Sequence, residues 1–175
     1  MRCVLAILLC LFFAAPLGAQ KEKREPLTEA QVEKIAEAGI DPNARVVLYT
    51  QYLNEHADAI KAMTNRAKSD ARSSRLNGAL EDLTTLMDEL GDNLDVFSDR
   101  KADIRKSLQA LADAAPRWQG ILRALAGEPG FDLSRKEAIE ASEELSDQAK
   151  RLLQEQVDYF KQHPDEIGQD RAEPK

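Results

Sequence analysis

Five aspartates, Asp88, Asp92, Asp95, Asp99 and Asp103, recur at spacings of three and four residues, which sets them along one side of a helix. Carboxylates aligned in this way could gather a hard divalent cation such as calcium, which prefers oxygen ligands. They also repel one another. Asp88/Asp92, Asp95/Asp99 and Asp99/Asp103 are like-charge pairs, each opposing helix formation by roughly 0.2–0.5 kcal/mol. The row lies mostly opposite the apolar seam of its segment, and calcium loops need curved backbone rather than a straight helix face. A solvated face or a protein-docking stripe is therefore expected before a metal site.

The sequence contains two histidines. His163 precedes Pro164 at a helix end, where a cation meets the negative end of the helix dipole. His56 lies on the seam of its helix and is expected to be a hydrogen-bonded boundary residue. The best enzymatic alternative would pair it with Glu55 or, across a hairpin, with Asp92. No Glu-x-x-His pair of the di-iron bundle kind occurs.

A basic cluster, Lys61, Arg66, Lys68, Arg72 and Arg75, precedes the acidic row. If the chain turns back near residue 74, Lys61 approaches Asp88 and Arg66 approaches Glu81 or Asp82, which helps select an antiparallel register. No aromatic residues interleave the cluster as a nucleic-acid platform would require. Tyr49, Tyr52, Phe97, Trp118, Tyr159 and Phe160 are placed as core or boundary residues. There is no phosphate-cradling glycine loop, metalloprotease helix, nucleophile elbow or dinucleotide fingerprint. No catalytic, cofactor-binding or metal-ligating residue is assigned, and the chain is expected not to be an enzyme.

Residues 1–19 bear on where these groups work. Arg2, the apolar run 3–15, Pro16 and the small Gly18 and Ala19 have the parts of a secretory signal peptide, with cleavage expected between Ala19 and Gln20. The apolar run is shorter than the roughly 20 residues of a membrane-spanning helix. Cys3 and Cys10, the two cysteines of the sequence, both fall inside it, so the processed product would carry no disulfide or thiol. Leu9 before Cys10 is unlike a lipobox. The formal net charge of −7 disfavours nucleic acid or anionic membrane as partners. The expected location is the periplasm or the extracellular space, with no stable membrane insertion after cleavage.

The positioning elements read as helices throughout. Residues 20–27 are a charged, flexible spacer. Thr28 caps a short helix, with Gln31 in the capping-box position, Leu27 stapling onto Val32 and Gly39 as the left-handed stop. Asp41-Pro42 opens the next helix, with a seam of Val46, Tyr49, Leu53, His56, Ile60, Met63 and Ala67. The expected turn is 69–75. Over 76–115, Leu76, Leu80, Leu83, Met87, Leu90, Leu94, Phe97, Lys101, Ile104, Leu108, Leu111 and Ala115 hold one phase. A continuous helix there would run about 60 Å; a break near Ser98-Asp99 is the alternative. Pro116 is expected to kink or restart the chain and Gly127-Glu128-Pro129-Gly130 to stop it. Ser134 with Glu137 forms a capping box for a final helix ending near His163, and 164–175 are expected to be a disordered tail.

These elements imply an all-α domain over 28–163, an antiparallel up-and-down bundle of three long amphipathic helices, or four if the segment breaks near Ser98, plus short ones. The expected function is protein–protein contact, as an adaptor, a chaperone-like holder or an assembly subunit, with a homodimer as the simplest case. The alternative is a small-ligand or divalent-ion carrier that uses an inter-helix pocket or the Asp88–Asp103 row.

Overall fold

The computed structural model describes residues 25–168, and among them every regular element is helical. The expected signal peptide and cleavage point, most of the expected spacer and the end of the expected tail lie outside the described residues.

Helix α1 (Glu29–Glu37) starts where local chemistry dictates: Thr28 and Gln31 form the reciprocal capping box, and Gly39 follows the helix at φ 57°. Val32 stays about half exposed, while Leu27 is buried. Helix α2 (Pro42–Thr64) opens with Asp41 accepting from the Ala44 N–H and with proline in its first turn. Helix α3 (Asp70–Asp99) begins earlier than the apolar pattern suggests. Ser69 accepts from the Arg72 N–H, so residues expected to form a turn are instead the first turn of α3.

The long apolar phase is broken after all. Helix α3 ends at Asp99 and α4 (Arg105–Ala124) begins after a five-residue corner. The N–H groups of Lys101 and Ala102 bond the carbonyls of Ser98 and Phe97, with Lys101 at φ 55°. This is a Schellman stop with lysine in the position glycine favours. For a side chain with a Cβ that backbone costs about 1–2 kcal/mol.

Pro116 does not restart the chain but lies inside α4, on its exposed side. The lost bond falls to the Ala112 carbonyl, and the helix runs on through the buried Trp118 and Leu122. Helix α5 (Asp132–Gln162) begins two residues before the expected cap. Ser134 is a helix residue whose hydroxyl donates to Asn77 Oδ1, so it does not cap. Beyond it Pro164–Glu166 form a single 3-10 turn, and Glu166 accepts from the Tyr159 hydroxyl at 2.6 Å.

Side-chain bonds give the directions of packing. Arg45 meets Asn93 and Tyr49 meets Glu89, so α2 and α3 run antiparallel, with position 61 level with 77 rather than 88. Asn43 meets Ser107 and Asn54 meets Trp118, so α2 and α4 run parallel. Ser134 with Asn77 and Gln148 with Gly91 make α3 and α5 parallel; together these directions leave α4 and α5 antiparallel, joined by Gln119 and Ser142. Helices α3 and α4, although consecutive, lie diagonally without close backbone approach, and α1 packs on α2 alone. The shared core joins Tyr49, Leu53, Leu83, Leu90, Leu108, Trp118 and Leu145. Truncating such a leucine to alanine typically costs 2–5 kcal/mol.

Candidate functional site

The acidic row divides in two. Asp88, Asp92 and Asp95 stand on the α3 flank toward α5, where they line a groove of about 300 Å³ with Glu144 and Gln148. Asp99 is the last residue of α3, and Asp103 lies past the corner. The Asp103 carboxylate takes two bonds from the Arg105 guanidinium, both at 2.8 Å, and this pairing holds its pKa below the usual carboxylate range. The row therefore does not act as one ligand set. Among the described residues, no three His, Cys, Asp or Glu side chains converge as a metal-binding group.

Within the groove the geometry is specific. Gln148 Nε2 donates to the Gly91 carbonyl at 3.1 Å and to Asp95 Oδ1 at 2.7 Å. The remaining lining is Met87, Gly91, Ala141 and Leu145, with no lysine or arginine. Partial burial, then the charges of Glu144 and Asp92, push the Asp88 carboxyl above its ordinary value. The aspartates were visible in sequence, whereas Glu144 and Gln148 were not. Their role depends on α3 and α5 being parallel neighbours, which no local pattern reveals.

The other candidates are dispersed. His56 is half-buried on α2 and level with position 82, so it does not meet Asp92. Its chain neighbour Glu55 accepts instead from Gln31 and Gln51. The basic cluster is split by the early start of α3. Lys61 lines a groove of about 460 Å³ between α2 and α4, together with Thr64, Arg117, Gly120, Ile121 and Ala124. Lys68 and Arg72 bind Glu128 instead, each at 3.2 Å, and hold its carboxyl below the ordinary range. The expected approach of Lys61 to Asp88 is replaced by this tie between the α2–α3 and α4–α5 connections.

Two further constellations were not read from sequence. Burial, with the bond from the Tyr49 hydroxyl to Glu89 at 2.7 Å, pushes that phenol up to about 12. At the far end of α5, His163 stacks on Tyr159 with ring centroids 4.3 Å apart, and its Nδ1 lies 2.9 Å from the Tyr159 carbonyl. Lys101 Nζ sits 5.6 Å from the centre of the Tyr159 ring, and the Arg105 guanidinium lies 4.7 Å from that of Phe160. The six aromatic residues singled out in sequence are buried, apart from the half-buried Tyr159.

Among the described residues no helix is long and apolar enough to cross a membrane. No family model, no curated protein and no solved structure matches the chain.

Proposed function

We propose that this chain is an exported, non-enzymatic helical protein of the periplasm or extracellular space that acts by protein–protein contact, as an adaptor, chaperone-like holder or assembly subunit. The α3–α5 groove is the observation that supports this: Asp88, Asp92, Asp95 and Glu144 share it with no basic residue in its lining. Asp88 is already crowded by burial and by two like charges. An opposite charge relieves that crowding, so the complement is a basic segment of a partner protein. Exposed ion pairs contribute only about 0–1 kcal/mol each. Charge would therefore set encounter rate and specificity, because Met87, Ala141 and Leu145 at the floor of the groove are already buried by the fold and offer a partner little further apolar area. The supporting scaffold is read as two helical hairpins, α2–α3 and α4–α5, docked as a four-helix bundle with α1 as an accessory.

Cross-linking of the tagged chain in its native envelope fraction tests this. The expected result is one or two dominant proteins cross-linked through a basic segment, and lost when Asp88 and Asp92 are both changed to lysine. Retention unaffected by that change would overturn the groove as the contact surface. Divalent-ion carriage is the second reading, because a cation would relieve the same crowding. A melting temperature raised by about 1 mM calcium, and no longer raised in Asp92→Asn, would favour it.

A further inference from the structure

We propose that the corner between α3 and α4 is a hinge through which two copies of this chain exchange their α4–α5 hairpins, so that residues 70–124 become one continuous helix. The apolar phase crosses the corner without a slip. Leu90, Leu94 and Phe97 before it and Ile104, Leu108 and Leu111 after it are all buried, and they keep one spacing that would line a single straight helix. Neither glycine nor proline occurs between Ser98 and Arg105 to oblige a bend.

The bend is held from outside. Gln156 of α5 donates to the Ala102 carbonyl at 2.8 Å and accepts from the Ile104 N–H at 3.1 Å. Asn43 donates to the Asp103 carbonyl at 2.7 Å and accepts from the Ser107 hydroxyl at 2.8 Å. In a straight helix the Ile104 N–H would find the Arg100 carbonyl four residues back, and Lys101 would leave its left-handed backbone for a helical one. Exchange retains the contacts inside each four-helix unit, because the second copy supplies the same α4–α5 hairpin. The hinge and the new junction alone then decide the balance.

The end of the molecule that would form that junction carries exposed apolar side chains among charged ones such as Asp99 and Lys101. Ile40 is 79% exposed, Val96 52%, Ile167 49% and Val157 42%, and all adjoin the corner or the elements that clamp it. Two exchanged units would meet there and cover these side chains with a second copy's equivalents. The inference goes beyond contact with a basic partner and does not depend on it. Exchange rebuilds the acidic groove from α3 of one copy and α5 of the other.

The test is to refold the full chain from denaturant at high and at low protein concentration, then measure mass by light scattering. Spin labels on Thr85→Cys and Gly120→Cys, with Cys3 and Cys10 replaced by alanine and unlabelled chain in excess, report the path of the chain. The bent chain brings these positions to about the same level, across the width of the helical unit. A straight helix separates them by about 52 Å, at 1.5 Å per residue. A dimer formed at high concentration with the long intrachain distance is expected. A dimer with the short distance, or a monomer in every preparation including Gln156→Ala, would overturn the proposal. Lys101→Gly, which keeps the bend without strain and weakens the straight helix, should lower dimer formation about tenfold per hinge and about a hundredfold for the pair. An unchanged dimer fraction in Lys101→Gly would also overturn it, whether or not Gln156→Ala folds.

Discussion

Where the α2–α3 and α4–α5 connections meet, charge ties the helices; where the α1–α2 and α3–α4 connections meet, neutral amides do. At the first end Glu128 takes Lys68 and Arg72, and the α4–α5 connection approaches the first turn of α3 so closely that a Cβ on Gly130 would stand 3.0 Å from that of Ser73. At the second, Gln156 and Asn43 reach buried backbone groups, while the ion pair of Asp103 and Arg105 stays local to the corner. The difference lies in what happens when a tie is cut. An exposed charge such as that of Lys68 returns to water at little cost, whereas Arg72 and Glu128, 10% and 16% exposed, keep part of their desolvation penalty, and a buried N–H or C=O left without a partner keeps all of it. The amide end should therefore be the less sensitive to salt and pH.

The largest effect is expected from Gln156→Ala. It strands the Ile104 N–H and the Ala102 carbonyl, and should lower stability by about 2–4 kcal/mol in denaturant unfolding, with little change between low and high salt. A strong salt dependence of that loss would break the contrast. Lys101→Gly should act in the opposite direction, raising stability by about 0.5–1 kcal/mol, because relief of the left-handed backbone exceeds the added freedom of the unfolded chain.

Glu128→Gln should lower the melting temperature at neutral pH by less than Gln156→Ala does. Its carboxyl has a folded pKa below the unfolded value, through the bonds from Lys68 and Arg72. Such a group contributes stability above its unfolded pKa and loses it as pH falls through the folded one. The gap between wild type and Glu128→Gln should thus close on acidification, and a gap that widened would contradict the assignment. Lys68→Ala, with a side chain 73% exposed, should give the smallest shift, removed altogether by about 1 M salt.

Local chemistry was legible in the sequence, and features made by distant partners were not. Thr28 with Gln31 and Asp41 with Pro42 announced their helices, because each cap is completed within four residues. Ser134 looked the same but has its hydroxyl bonded to Asn77, a partner 57 residues away in the chain. Pro116 read as a break, yet on an exposed helix face the missing bond is tolerated. The corner at Arg100–Ile104 stood only as an option, because lysine occupies the turn position and Gln156 supplies the clamp from another helix. In the same way the aspartates of the groove could be seen and their α5 neighbours could not.

The parallel pairing of α3 with α5 also has a consequence in time. Ser134 and Gln148 reach residues 57 positions earlier in the chain, so the inner face of the first hairpin lacks its α5 cover while those positions are being made. At about 5–20 residues per second, translation takes about 3–11 seconds to pass from one to the other. During that interval α2 gives Leu80, Leu83, Leu90 and Leu94 only part of the cover they have in the folded chain, so the first hairpin waits with apolar surface exposed until the last helix is complete.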